Sequence, residues 1–212
     1  MKHKFFDTEG IVLKKLPYNE THLTIHVFSP DRGKIYCLYR ISKKSTSIQP
    51  DIFDHATLYL NIASKSNHLY IKEYHPIHRL RDIAKNINAF TYASQWLNIL
   101  SDNLKYIDSF EKIYPLTLKA LKSWESNELS DVIYLKCLYK LASSEGYPVI
   151  QHWLKSLPDS LRNIAELTIR NPLNSQSPKN DSILKLINSI QDWLIHHTPI
   201  YLTTPHESLL KN

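Results

Sequence analysis

Lys14, Lys15, Arg32, Lys34, Arg40, Lys43 and Lys44 punctuate the N-terminal stretch of the chain, and Tyr18, Tyr36, Tyr39, Tyr59, Tyr70 and Tyr74 are interleaved with them. Cationic side chains of this kind reach phosphates and release counterions. Aromatic rings stack on exposed bases, at about 1–3 kcal/mol per base. Together they point to a polyanion, and a nucleic acid in particular. Strands also favour tyrosine for packing, so one or two of the six rings are expected to touch a ligand and the rest to fill a core. The basic, hydroxyl-rich segment Arg40-Ile41-Ser42-Lys43-Lys44-Ser45-Thr46-Ser47 has no periodicity and reads as an exposed loop able to bond phosphate oxygens.

Charge is distributed to match. Residues 1–85 hold 14 Lys/Arg against 8 Asp/Glu, whereas residues 86–212 hold 12 of each, so the net charge of +6 sits on the first part alone. A biased residue usage would not leave the second part neutral. Such asymmetry suggests a polyanion partner for the N-terminal part.

Hydrolytic and transfer chemistry finds no footing. The chain has three glycines, Gly10, Gly33 and Gly146, and Gly33-Lys34 lacks the preceding glycine of a phosphate-binding loop. There is no Gly-x-Ser-x-Gly and no His-Glu-x-x-His. Acidic residues are scattered without the spacing of a metal-dependent nuclease. His75-x-x-His78 lacks a third ligand and reads as a solvated pair, and His196-His197 suit the dipole at a helix C-terminus. The two cysteines, Cys37 and Cys137, give neither a disulfide framework nor a metal knuckle. The expectation is a non-enzyme with no cofactor and no metal. No apolar run approaches a membrane span and the N-terminus lacks a signal-peptide core, which suggests a cytoplasmic protein with no membrane association.

The elements that must position these residues follow from period. Residues 8–14, 21–28, 35–39, 56–62 and 68–74 read as strands, with Ser29-Pro30-Asp31-Arg32-Gly33-Lys34 as the turn of a hairpin. Five short strands with polar loops fit a small barrel, of which the OB-fold is the commonest five-stranded form. From about residue 79 the period becomes helical: Ile87 to Leu104, then Phe110 to Trp124 with a break or kink at Pro115, then Asp131 to Glu145 ended by Gly146. Shorter helices follow near 149–156 and 159–169, and a last one is capped by Asp181 or Ser182. The fold class is therefore α+β: a five-stranded OB-fold over residues 1–78, then an all-helical domain over 79–212, with Pro76 separating the last strand from the helices.

Several segments in order resemble one family. Glu9-Gly10-Ile11-Val12-Leu13, Tyr18-Asn19-Glu20, Leu23-Thr24-Ile25, Gly33-Lys34 and the basic loop ending in Gln49-Pro50 are similar to the opening of the bacterial recombination mediator RecO. Tyr92-Ala93-Ser94, Glu145-Gly146-Tyr147-Pro148 and His197-Thr198-Pro199-Ile200-Tyr201-Leu202 resemble its later signatures. The resemblance implies an N-terminal OB-fold and a helical C-terminal domain. It implies binding of single- and double-stranded DNA, annealing of complementary strands, and loading of the recombinase RecA on gapped DNA. It implies two protein partners, RecR and the acidic C-terminal tail of the single-stranded DNA-binding protein. Many members carry zinc-binding cysteines after the Gly-Tyr-x-Pro segment; residues 149–175 hold none, so no zinc is expected here. The family's loop glycine is also missing from Tyr39-Arg40-Ile41-Ser42-Lys43-Lys44. The DNA-contacting candidates are Lys14, Lys15, Arg32, Lys34, Tyr39, Arg40, Lys43 and Lys44. A competing reading is a protein-interaction adaptor of the same fold with weak or lost DNA binding, suggested by the neutral helical part with Trp96, Trp124, Trp153 and Trp193.

Overall fold

The computed structural model describes residues 5–41, 48–62, 68–126, 129–175 and 180–202. The chain divides into two compact units, Met1–Arg81 and Asp82–Asn212. The first unit is a closed barrel of five strands: β1 (Phe5–Asn19), β2 (His22–Ser29), β3 (Gly33–Arg40), β4 (His55–Ile62) and β5 (Leu69–His78), in the order β1-β2-β3-β5-β4. This is the OB-fold that the strand spacing predicts.

Alternation builds its interior. Val12, Ile25, Val27, Ile35, Cys37, Tyr39, Leu58, Leu60 and Ile71 form the buried core, with side chains at every second position turned inward. The β1 strand closes the barrel by serving two neighbours. Phe5 to Ile11 pair with β4, and Ile11 to Asn19 pair with β2. Gly10 lies at the changeover, where a Cβ would fall 2.3 Å from Val27 Cγ1, so no larger residue fits without movement. The β2–β3 hairpin turns through residues 30–32 into Gly33, whose φ of 63° supplies the left-handed residue that three-residue hairpin loops require.

One detail of the barrel differs from the sequence reading, and one backbone position is unusual. Pro76 lies inside β5, opposite Ala56 at an irregularity in the pairing, and the strand continues to His78. The missing N–H is tolerated because proline is accommodated at bulges. Phe53, φ 69°, is a buried aromatic in the left-handed region. The turn it occupies is held on both sides: Phe53 N–H donates to Val12 O, and Val12 N–H donates to Asp54 O. Asp54, almost fully buried, accepts from Tyr74 Oη (2.7 Å), Arg79 Nε (3.2 Å) and the Asp51 N–H (3.0 Å).

The second unit packs α1 (Ile87–Asn103), α2 (Phe110–Ser126), α3 (Ser130–Ser144), α4 (Asp159–Arg170) and α5 (Asn180–His197), with a π-helical turn at Ile150–Leu154. All four tryptophans are buried in it. Three give their ring N–H to a partner: Trp96 to Thr117 Oγ1, Trp124 to Ser130 O and Trp153 to Ser189 Oγ. The helix α2 runs unbroken through Pro115, against the sequence expectation. Pro115 and Glu111 are both exposed, so water can satisfy the Glu111 carbonyl that the proline leaves without its N–H.

The motif Glu145-Gly146-Tyr147-Pro148 acquires a structural role. Gly146, φ 80°, ends α3, with Tyr147 N–H returning to Ala142 O. The Glu145 carboxylate meanwhile accepts the N–H groups of Asp108 and Ser109 ahead of α2. At the other end, His196 and His197 Nδ1 lie 2.7 and 2.9 Å from the carbonyls of Asp192 and Trp193, the last-turn capping the sequence suggests. Asn103, fully buried, exchanges two hydrogen bonds with the Tyr201 backbone and so pins the C-terminal segment. No described helix is long and apolar enough to cross a membrane.

Candidate nucleic-acid interface

Strand alternation separates the two lysines of the Lys14-Lys15 pair. A row across the outer face of the barrel runs Lys14, His26, Tyr36 by register. The His26 and Tyr36 rings meet edge to face at 4.7 Å, and Lys34 Nζ lies 4.7 Å above the Tyr36 ring. The next residue, Lys15, falls on the inward row with Ile25 and Cys37, and its ammonium pairs with Asp51 Oδ1 at 3.4 Å. Lys14 is thus part of the outer row; Lys15 is turned away from it and joins the Asp51–Asp54 turn.

Arg32, on the hairpin turn, is exposed and places its guanidinium 4.2 Å from the centre of the Phe6 ring. Arg32 and Lys34 share a cleft of about 610 Å³ with Phe6, Tyr18, Tyr36 and His68. Of the cations and rings that the sequence pattern singles out, this cleft brings together Arg32, Lys34, Tyr18 and Tyr36; the strand 2–3 surface is the one OB-folds use for oligonucleotides. Tyr18 and Tyr36 are more than half exposed, at 53% and 55%, so their faces can receive a base.

Arg40 sits at the exposed end of β3 and lines a second cleft, of about 680 Å³, together with His22, Asn61, Tyr70 and Lys72. Tyr39 occupies the core: it is 9% exposed and packs with Ile35 and Cys37 on the inward side of β3, although it also lines this second cleft. The alternation Ile35, Cys37, Tyr39 was the signal that could have placed it inside. Lys43 and Lys44, with the rest of segment 42–47, lie outside the described residues.

The remaining sequence candidates resolve as structure. Cys37 is buried, its thiol against Ile25 O, and burial pushes its pKa up to about 12, so it carries no thiolate near neutrality. His75 pairs with Glu73 and lies edge-on to Tyr59, and His78 stacks on His55. Among the described residues no group of three or more His, Cys, Asp or Glu could hold a metal ion.

Sequence reasoning missed the histidines of the barrel surface, which pair with tyrosines: Tyr18 with His68, His22 with Tyr70 and His26 with Tyr36. It also missed a groove in the helical unit, of about 460 Å³, with a floor of Leu116, Ala120, Ile133 and Ile169 and a rim of Lys119, Lys136 and Lys140. Burial, and then the neighbouring Lys119 and Lys140, lower the Lys136 pKa. Lys136 Nζ donates to the carbonyl of Asn171. Three cations around an apolar floor suit an anionic peptide that carries an apolar side chain.

Residues 1–80 match the family model described as the N-terminal domain of recombination protein O. Over 154 residues the chain is 27% identical to a DNA repair protein RecO from Caldanaerobacter subterraneus subsp. tengcongensis, a match covering 69% of this chain and 61% of that protein. The aligned stretch is longer than the barrel and spans somewhat under two thirds of the relative's length. Barrel topology and the family model agree on residues 1–80, which match the N-terminal domain of recombination protein O, and the chain is similar to a RecO protein beyond the barrel as well.

Proposed function

We propose that the protein is a recombination mediator in DNA repair, a non-catalytic binder of single- and double-stranded DNA that anneals strands and helps load recombinase on gapped DNA in the cytoplasm. The observation that carries this reading is the cleft where Arg32 and Lys34 stand among Phe6, Tyr18 and Tyr36. Cations there meet phosphates while exposed rings offer stacking platforms. The barrel, residues 1–78, is the DNA-binding domain and residues 79–212 the partner-binding domain. Lys14, Arg32, Lys34 and Arg40 are the DNA contacts on the described surface, and Lys43 and Lys44 extend them. The name of the relative, a DNA repair protein, supports the same role.

The test is a fluorescence-anisotropy titration of a labelled single-stranded oligonucleotide across a salt series. The logarithm of the affinity should fall steeply with the logarithm of salt. Arg32→Ala with Lys34→Ala should make that slope shallower by roughly 0.7 for each phosphate no longer neutralised. Undetectable binding at low salt would sink the reading.

The lysine-rimmed groove of the helical unit favours a protein-binding role beside it. RecR and the acidic C-terminal tail of the single-stranded DNA-binding protein are the proposed partners, the tail being the occupant whose charge fits the groove. Lys119→Ala with Lys140→Ala should weaken a synthetic acidic tail peptide and leave the oligonucleotide affinity unchanged. Loss of peptide binding alone would place the adaptor function there, and unchanged peptide binding would move it elsewhere.

A further inference from the structure

The lysine-rimmed groove of the helical unit holds one amine unlike its neighbours. Lys136 and Lys140 lie one turn apart on α3, and Lys119 joins them from α2. Lys119 and Lys140 are exposed, whereas Lys136 is half-buried. Its Nζ donates to the carbonyl of Asn171, the residue that caps α4, which fixes the amine between α3 and the end of α4. Among the described residues lining the groove there are three lysines and no carboxylate.

Crowding of like charges has two effects. It attracts an anion, which each ammonium meets as a point charge. It also favours loss of a proton from the amine that water reaches least. Lys136 is that amine: burial first, then Lys119 and Lys140, lower its pKa. A lysine desolvated beside other cations is an activated nucleophile. As a neutral amine it can keep an N–H on the Asn171 carbonyl and offer its lone pair elsewhere. The adjoining floor of Leu116, Ala120 and Ile133 suits a short alkyl group.

We propose that Lys136 is a site of acylation by small acyl phosphates. The donor's phosphate rests on Lys119 and Lys140, and its alkyl group on the apolar floor. The Lys136 nitrogen forms a bond to the acyl carbon. The bond from that carbon to the phosphate oxygen breaks, and inorganic phosphate leaves with the electron pair. The nitrogen sheds one proton to water. The product is a neutral amide, so the groove loses the innermost of its three charges. The modification stands apart from the function proposed above; its consequence, weaker binding of an acidic peptide, rests on that reading.

The experiment incubates the full chain with acetyl phosphate and follows each lysine over time by peptide mass spectrometry. Lys136 should gain the acetyl group roughly 5-fold faster than the median of the other lysines, an advantage on the scale of an exposed ion pair. Its rate should level off at lower pH than theirs, because its amine is freed first. Inorganic phosphate should erase the advantage in the wild type, and Lys119→Ala with Lys140→Ala should erase it without any competitor. A Lys136 rate at or below the median, or an advantage that phosphate leaves untouched, would overturn the proposal. Lys136→Gln, which copies the neutral amide, should weaken the acidic peptide. If it does not, while Lys136 is still acetylated first, the modification site stands and the peptide-binding reading falls.

Discussion

The two units spend their aromatic residues in opposite ways. The helical unit holds every tryptophan of the chain, all of them buried, three with a hydrogen bond from the ring nitrogen. The barrel holds no tryptophan and leaves Tyr18, Tyr36 and Tyr59 exposed, each against a histidine. In one unit the ring is interior filling, and its removal leaves a void. In the other it is a surface tile, and its removal changes what can land there. Charge follows the same division, with the excess of cations on the barrel.

The sharpest way to break this comparison is Trp124→Ala, which should cost about 4 kcal/mol because a fully buried ring leaves a cavity and its hydrogen bond to the Ser130 carbonyl is lost. Urea denaturation followed by the remaining tryptophans would read it, since all report on the helical unit. A loss under about 1 kcal/mol would mean the ring is not core.

Next comes Asp54→Ala in the barrel. It strips Arg79 and Tyr74 of their shared acceptor and should cost about 3 kcal/mol, as breaking a buried ion pair does. Loss of far-UV β signal at lower urea, with the tryptophan transition in place, is the expected pattern. Coincident shifts of both signals would show that the units do not unfold separately.

An effect smaller per pH unit should appear at high pH. Folded Cys37 holds its proton to about 12 against an ordinary value of 9.0, because burial disfavours the thiolate. The unfolded thiol ionises first, so stability is intact below pH 9 and falls as pH rises toward 12, by at most about 1.4 kcal/mol per pH unit. Cys37→Ala should flatten the barrel's loss over that range; an unchanged slope would assign it to other groups.

The smallest stability change belongs to Tyr36→Ala, within about 0.5 kcal/mol as for a surface position. Its oligonucleotide affinity should nevertheless drop roughly 5-fold or more as the stacking platform disappears. A destabilised variant with full affinity would reverse the assignment of Tyr36 to the surface.

Much of this was legible in the chain. Period-two runs gave the strands, Gly33 gave the hairpin turn, and helical spacing gave α1, α3 and α5 to within a few residues. What stayed hidden depends on pairs distant in sequence. Lys15 reads as a phosphate contact until Asp51, 36 residues on, claims it. Tyr39 reads as a stacking ring until its register with Leu23 turns it inward. The lysine-rimmed groove draws on α2, α3 and the end of α4, so no single window contains it. Pro115 misled because a helix breaker was judged without knowing that the freed carbonyl faces water.

A cask holds because every stave is gripped by its neighbours along its full length. Here one joint, between β3 and β5, is gripped along a short stretch, with an open slot at either end of it. Those amide hydrogens of Cys37, Leu38, Leu69 and Tyr70 that bridge β3 and β5 should therefore exchange sooner than those of the long joints. A strand laid over both slots would act as a rivet, slowing exchange at that joint above all others.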